Sequence, residues 1–415
     1  MCYNYPMVKI DKIIPGGQAL GTLDNGRKIF FWNALPGETV TEYGVTKKKS
    51  HYLEAIATKI DNPSKYRVEP KDECFLSTSP WQIIDWDYEN QLKSELVVEI
   101  FREHQIEIDH PKVITNNKPY YYRNKMEYAL YWDNEEEKIK LAFHARGSHR
   151  KVPITHSSLE HPAIFQTAQA IVDNLNSLHE EARKYQSILL RCNQKGDVSG
   201  GLYENHKPHP HFNNLTDQIL GQKYSYSPNG FFQINLPVYE LALKEIKKHI
   251  NTDNVLDLYA GVGTIGLSVA RDKHLALVEL DKSAFGELCK NITTEDISRP
   301  TGSELAKSHV TTGATKRVRS GNIVAELAKS EDTLGFIVSN QTVILDPPRA
   351  GCDRRLIDKL LDATPTKIIY LSCNPATQAR DVKLLLEKYK IEDIKTFNFF
   401  PRTPHIENLV ILNKI

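Results

Sequence analysis

Four short stretches in the second half of the chain carry residues able to do chemistry, and each begins where an apolar run ends. Gly261-Val262-Gly263-Thr264-Ile265-Gly266 satisfies the pattern GxGxxG between the run Val255–Leu258 and a helical segment starting near Thr264. Glycines there let a ligand approach the backbone, and Glu279, 18 residues after Gly261, ends a second run where a carboxylate can accept hydrogen bonds from ribose hydroxyls. On those residues alone a nicotinamide dinucleotide and S-adenosylmethionine are both admissible. Asp346, in Leu345-Asp346-Pro347-Pro348-Arg349, and Cys373, in Leu371-Ser372-Cys373-Asn374-Pro375, follow two further runs. A thiol placed after its run, rather than within it, faces whatever the glycine loop binds. Hydride transfer has no use for that thiol, whereas methylation of an unactivated ring carbon does. C5 of uracil is a poor nucleophile until a thiolate adds to C6. The enolate then takes a methyl group at C5, a base removes the C5 proton, and elimination frees the thiol. Glu407, in His405-Ile406-Glu407, offers the carboxylate for that base.

These residues need a scaffold whose strand ends converge. Val255–Leu258, Leu275–Leu280, Thr342–Leu345 and Lys367–Leu371 alternate with helical segments, which predicts a doubly wound parallel sheet binding ligands at the carboxyl ends of its strands. Ile394–Phe400 and Asn408–Leu412 predict an antiparallel hairpin on its edge. Far upstream, Met7–Ile14 and Lys28–Trp32 alternate apolar and polar residues between turns at Pro15-Gly16-Gly17, Asp24-Asn25-Gly26 and Pro36-Gly37, so residues 1–60 read as an OB-type β-barrel. That segment holds eight Lys or Arg against five Asp or Glu, including Lys47-Lys48-Lys49, a surface suited to RNA. Leu92, Leu96, Val97, Ile100 and Phe101 place an amphipathic helix within Trp81–His104. Residues 61–230 therefore read as a linker, this helix and a mixed α+β central domain, and 231–415 as the domain of the parallel sheet. Within the central domain Pro111–Met126 and Phe143–Lys151 mix Lys and Arg with Tyr or His and contain no acid. Such stretches suit phosphates beside stacked bases; exposed strands with long cationic side chains are the plainer alternative.

Composition sets the outer bounds. The 415 residues are 40% hydrophobic and 25% charged, with 53 Lys+Arg against 52 Asp+Glu, long enough for two or three domains and unlike a hormone or a stapled scaffold. No stretch has the roughly 18 uninterrupted apolar residues of a membrane span, and Met1–Lys12 is not a secretory signal, so a cytoplasmic protein is expected. The six cysteines, Cys2, Cys74, Cys192, Cys289, Cys352 and Cys373, are too sparse for a disulfide framework. His206, His209 and His211 lie in a Pro-flanked loop without Cys or an acid cluster and read as solvated, so no metal site is expected. Thr293–Thr315 is rich in Thr, Ser, Gly and Lys and reads as a loop or insertion.

Taken in order, Asp257-Leu258-Tyr259-Ala260-Gly261-Val262-Gly263, Leu345–Gly351, Ser372–Thr377 and His405-Ile406-Glu407 resemble the RNA uracil-5-methyltransferase family. Tyr122–Tyr128 and Ser227–Asn235 are similar to it as well, and the N-terminal barrel, with Gly16-Gly17, Gly21 and Leu35-Pro36-Gly37-Glu38, resembles the TRAM domain of many members. The resemblance implies a Rossmann-like class I S-adenosylmethionine methyltransferase domain, with Cys373 as nucleophile and Glu407 as base. It also implies that Gln233, Tyr259, Glu279 and Asp346 contact S-adenosylmethionine. Thr264, where relatives often have Asn, and Asn322, expected to flank the adenine, complete that set, and Arg380 would buttress the nucleophile loop. A target uracil would be flipped out to reach Cys373 and the displaced RNA held by the central domain. The chain departs from relatives that bind a four-iron cluster, because the segment before the first helix offers only Cys74 with Ser77 and Ser79, and Ser157 and Ser158 add no thiol; no iron–sulfur cluster is expected. The implied activity is formation of 5-methyluridine in structured RNA, with 23S rRNA the first choice on the strength of the barrel and tRNA the alternative. A nicotinamide oxidoreductase and a catalytically inactive RNA-binding protein are the remaining readings, and neither a membrane nor an obligate protein partner is expected.

Overall fold

Alternation at the N-terminus produces strands with one buried face. In the computed structural model, which describes residues 6–204, 207–209, 212–293, 310–312 and 315–415, β1 (Val8–Ile13), β2 (Ala19–Thr22), β3 (Lys28–Trp32), β4 (Thr39–Lys48) and β5 (Tyr52–Asp61) close a barrel in the order β1-β2-β3-β5-β4. Val8, Ile10, Ile29, Phe31, Ala55 and Ala57 point inward. Glu38 is also fully buried, because its carboxylate takes the amides of Leu35 (2.8 Å) and Ser64 (2.9 Å) and the guanidinium of Arg67 (2.7 Å). That carboxylate ties the barrel to the linker.

The linker carries a short turn of helix, α1 (Phe75–Thr78), then α2 (Trp86–Glu103), capped by Asp85 accepting from the amides of Asp87 and Tyr88. Its buried stripe, Leu92, Leu96, Val97, Ile100 and Phe101, is the one the periodicity predicts. Barrel interior, Trp81, α2 and one face of the large sheet form a single continuous apolar cluster, so the barrel is fused to the rest of the core. After β6 (Val113–Ile114) the central domain folds as a six-stranded antiparallel sheet of β7 (Lys125–Asp133), β8 (Lys138–His144), β9 (Lys151–Pro153), β10 (Ser187–Cys192), β11 (Val198–Glu204) and β12 (Lys207–His209), ordered β12-β11-β10-β7-β8-β9, with α3 (Pro162–Ser177) on one face.

The hairpin β13 (Leu215–Ile219) and β14 (Gln222–Tyr226) precedes α4 (Leu236–Lys248), β15 (Asn254–Leu258), α5 (Thr264–Ala270), β16 (His274–Glu279), α6 (Lys282–Thr293), β17 (Val310–Thr312), β18 (Thr315–Ser320), β19 (Ile323–Leu327), β20 (Thr342–Leu345), α7 (Arg354–Ala363), β21 (Lys367–Ser372), α8 (Pro375–Leu385), β22 (Tyr389–Phe397) and β23 (Glu407–Lys414). These strands and β6 build a sheet ordered β17-β18-β19-β16-β15-β20-β21-β23-β22-β6. Its five central strands are parallel, and the chain order reverses between β15 and β20, where such sheets open a ligand crevice.

Two expectations change. The C-terminal hairpin is not the sheet's edge, because β6 pairs alongside β22 (Thr396 with Val113) and covers it. The boundary expected at residue 230 moves upstream: β13 and β14 share the apolar cluster of α4–α6, and Ser225 and Asn214 bond Asn291 and Glu287 of α6. His206, His211, Cys2 and most of Thr293–Thr315 lie outside the described residues. Among the described residues no helix is long and apolar enough to cross a membrane.

Replacing Glu38 with Ala strands Arg67, the buried Leu35 amide and the half-buried Ser64 amide, so Glu38→Ala should lower the unfolding free energy by about 3–5 kcal/mol. A thermal or urea midpoint equal to wild type would show that the carboxylate does not hold barrel to linker.

Candidate active site

Side-chain parity assembles the site. Along the central strands Val255, Ile344, Ile369, Leu371, Leu409 and Ile411 face the core under α4–α6, while Leu256, Leu258, Val343, Leu345, Ile368, Tyr370, Val410 and Leu412 face the opposite core. By that period of two, Asp257, Asp346, Cys373 and Glu407 fall on the α4–α6 side. Register completes the placement. In the antiparallel pair β21·β23, Leu371 stands opposite Leu409 and Ser372 opposite Asn408, so one step further sets Cys373 opposite Glu407 at the strands' rim. Directly opposed residues of such pairs have Cα atoms about 4.5–5.5 Å apart.

Three acids at one rim oppose one another's ionisation. Burial is the main force raising the Cys373 thiol, to about 11, with the charges of Glu407 and Asp346 adding to it and Arg349 opposing them. Glu407, only 3% exposed, is raised well above an ordinary carboxylate by burial first and by Asp346 second, again against Arg349. Asp346 is raised by burial. The free site therefore holds protons that a thiolate mechanism must shed, and a cation entering the rim favours the ionised form of all three.

The loops carrying these groups are fixed to one another. Asn374 caps α8 by accepting from the Ala376 amide and donates to the Arg349 carbonyl at 2.8 Å, to which Thr377 also donates. Arg380 donates to the Ala350 carbonyl at 3.1 Å and pairs with Asp381, whose other oxygen takes the Cys352 amide and the Tyr370 hydroxyl. Arg380 thus acts on the Asp346 loop directly and reaches the nucleophile loop through Arg349. Behind Glu407, buried Gln378 donates to the Tyr370 and Asn408 carbonyls and accepts from the Asn408 amide at 2.8 Å.

Tyr259 (φ 63°), Gly261 (φ 58°) and Gly263 (φ 88°) turn the backbone from β15 into α5. No atom lies within 4 Å of where a Gly261 side chain would stand, leaving room for a ligand against the main chain. Glu279 accepts from the Gly261 amide at 2.7 Å and the Asp281 amide at 2.6 Å, one per oxygen, so each retains a lone pair for a hydroxyl. Buried Asp257 takes the Gly266 amide at 2.8 Å on one oxygen and has no partner on the other, and burial raises it to about 8. Tyr259 donates to Glu331 at 2.8 Å, and Thr264 shares a hydrogen bond with Tyr239 at 2.9 Å. Open space over Gly261, a ribose-competent Glu279 and Asp346 on the neighbouring strand fit S-adenosylmethionine.

Gln233 lies in the segment before α4, anchored through its carbonyl to the Asn124 side chain at 3.0 Å. Asn322 does not join the set. It precedes β19, whose parallel register with β16 puts Ile323 beside Leu275 and Leu327 beside Glu279, so Asn322 stands at the amino end, roughly 17 Å along the strand from the ligand rim. Its amide donates to the Arg271 and Lys273 carbonyls, a structural bond at the foot of the sheet. Residues the sequence reading passed over include Gln378 and Asn408, invisible because only tertiary pairing gives them partners, and Phe231. Phe231 is 75% exposed and stands two residues before Gln233. Cys74 is buried in the central core, and the described residues hold no group of three or more His, Cys, Asp or Glu able to take a metal.

A family model described as tRNA (Uracil-5-)-methyltransferase matches residues 214–415. An uncharacterized RNA methyltransferase of Bacillus anthracis is 26% identical over 98% of this chain and 96% of its own, and one of Staphylococcus aureus (strain MSSA476) is 28% identical over 93% of each. Among solved structures, Pyrococcus abyssi tRNA (uracil-54, C5)-methyltransferase in complex with S-adenosyl-L-homocysteine superposes with a TM-score of 0.73 at 21% identity, covering 98% of this chain and 100% of that one.

Because burial and two carboxylates keep the Cys373 thiol protonated until about pH 11, iodoacetamide should label it slowly at pH 7 in the free protein, the rate climbing roughly tenfold per pH unit toward that value. Peptide mapping against Cys373→Ser assigns the label; fast labelling at pH 7 would mean that Arg349 outweighs the carboxylates.

Proposed function

We propose that the chain is a member of the RNA uracil-5-methyltransferase family, whose model matches residues 214–415, and that it methylates C5 of uridine in folded RNA through a covalent Cys373 adduct, with Glu407 removing the C5 proton. The observation that carries this reading is the β21·β23 register, whose next step beyond Ser372–Asn408 pairs the thiol with the carboxylate. S-adenosylmethionine supplies an electrophilic methyl group on a sulfonium when bound. Gly261, Glu279, Asp346, Tyr259 and Gln233 would hold it, with Thr264 at the start of α5.

The thiolate of Cys373 forms a bond to C6, and the C5–C6 π electrons move into the enolate through C4 and its oxygen. C5 takes the methyl group as the methyl–sulfur bond breaks, its electrons leaving the former sulfonium as a neutral thioether. Glu407 then removes the C5 proton, the C–H electrons restore the C5–C6 double bond, and the Sγ–C6 bond breaks to release the thiolate. Burial raises Glu407 because a carboxylate at this rim is poorly solvated, and the same poor solvation strengthens it as a base once ionised. Phe231, exposed ahead of Gln233, offers a ring for stacking against a displaced base.

The barrel's resemblance to the TRAM domain points toward ribosomal RNA. It does not separate the two substrates, since the Pyrococcus abyssi tRNA enzyme carries a comparable fold across 98% of this chain. Ribosomal RNA and tRNA therefore enter the proposal together.

Methyl transfer from labelled S-adenosylmethionine to unmodified rRNA and tRNA, followed by nucleoside analysis, should yield 5-methyluridine in one fraction. Cys373→Ala should abolish it, and an unchanged rate would remove the nucleophile. Glu407→Gln should slow turnover by about 100-fold or more and leave methylated RNA covalently attached to the protein on a denaturing gel. Normal turnover with no trapped band would assign the base elsewhere.

A further inference from the structure

Glu407 is delivered by the connection 398–406 between β22 and β23, and that connection is held from outside the parallel sheet. Four consecutive carbonyls are each taken by a different element: Phe399 by Asn235 ahead of α4 (3.1 Å), Phe400 by Lys93 of α2 (3.1 Å), Pro401 by the Tyr122 hydroxyl of the central domain (3.0 Å) and Arg402 by the Trp81 amide (3.0 Å). Glu89 of α2, fully buried, accepts from the Arg402 amide at 3.0 Å and from Asn398 at 3.0 Å. Fully buried Lys93 donates to Asn398 at 2.6 Å. The barrel reaches the same loop. Gly17 accepts from the Trp81 indole at 3.0 Å, and its α-carbon is pressed so closely on Pro404 that any side chain would overlap the proline ring. Pro404 stands three residues before Glu407.

We propose that the N-terminal barrel and α2 are positioning elements for the proton-removing carboxylate, with Gly17 and Lys93 the residues that set the 398–406 loop and through it Glu407. This rests on the reading of Glu407 as the base. A barrel that only gripped RNA would need no contact with this loop, and a loop that only joined two strands would not have its carbonyls captured by four separate elements. The chemistry of the contact is steric on the barrel side and charge-assisted on the α2 side. Either failure displaces the carboxylate relative to Cys373 without removing it.

Gly16 provides the internal control. It has the same left-handed backbone as Gly17 (φ 97° against 89°) but nothing within 4 Å, so Gly16→Ala carries the conformational strain without the collision. Gly17→Ala should lower kcat by about 100-fold, the scale for an ångström of misplacement, with KM for RNA unchanged and methylated covalent adduct accumulating as in Glu407→Gln. Gly16→Ala should match wild type in all three. Gly17→Ala behaving like Gly16→Ala, or raising KM with no trapped adduct, would overturn the proposal. Should circular dichroism find Gly17→Ala unfolded, Lys93→Met is read in the same assay with the same two outcomes. If Glu407→Gln traps nothing, the base assignment fails; if it traps adduct and the positioning variants do not, this inference alone fails.

Discussion

The antiparallel pairing of β23 with β21 is the constraint on which the site depends. Parallel strands present only their carboxyl ends to the ligand rim, so a parallel neighbour of β21 would bring its last residue there. An antiparallel neighbour brings its first, and Glu407 is the first residue of β23. A one-residue slip would turn Glu407 toward the opposite core and set Asn408 or Ile406 at the rim. Gln378 and Asn408 stand against such a slip, bonded to each other and to the main chain of both strands in a fully buried position.

A rim crowded with acids raises the question of what tolerates them. Asp257, Asp346, Glu407 and Cys373 share one face, and the Arg349 charge opposes the rise of the last two. The fold keeps the loops rigid instead of neutralising the charges: Asn374, Thr377 and Arg380 bind the Asp346 loop to the Cys373 loop through main-chain carbonyls. Burial raises each of these groups in the empty site, and a cation entering the rim would favour their ionised forms.

Much of this architecture was legible in the sequence. The strands Thr342–Leu345 and Lys28–Trp32 appear with the bounds the apolar runs gave, because short buried or alternating segments bounded by turns leave few alternatives. The stripe of α2 and the rim positions of Asp346 and Cys373 were equally readable. Asn322 was not, since its place in a motif says nothing of which end of the strand the ligand occupies; only the register of β19 with β16 decides that. The covering of β22 by β6 was hidden for a similar reason: two residues carry no periodicity, and their partner lies in the last part of the chain. Lys93 looked like a polar residue on an amphipathic helix, and nothing local announces that its ammonium is fully buried against Asn398.

That last pair has a consequence for how the molecule is made. Lys93 and Asn398 are 305 positions apart, so at ribosomal speeds of about 5–20 residues per second the helix waits roughly 15–60 s for the loop it will hold. Through that interval Glu89 and Lys93 lack the loop that buries them in the finished fold. Burial pulls the lysine's ammonium down to about 8 in the finished fold, against the attraction of Glu89. The clamp on the 398–406 loop therefore closes only after the last part of the chain has been made.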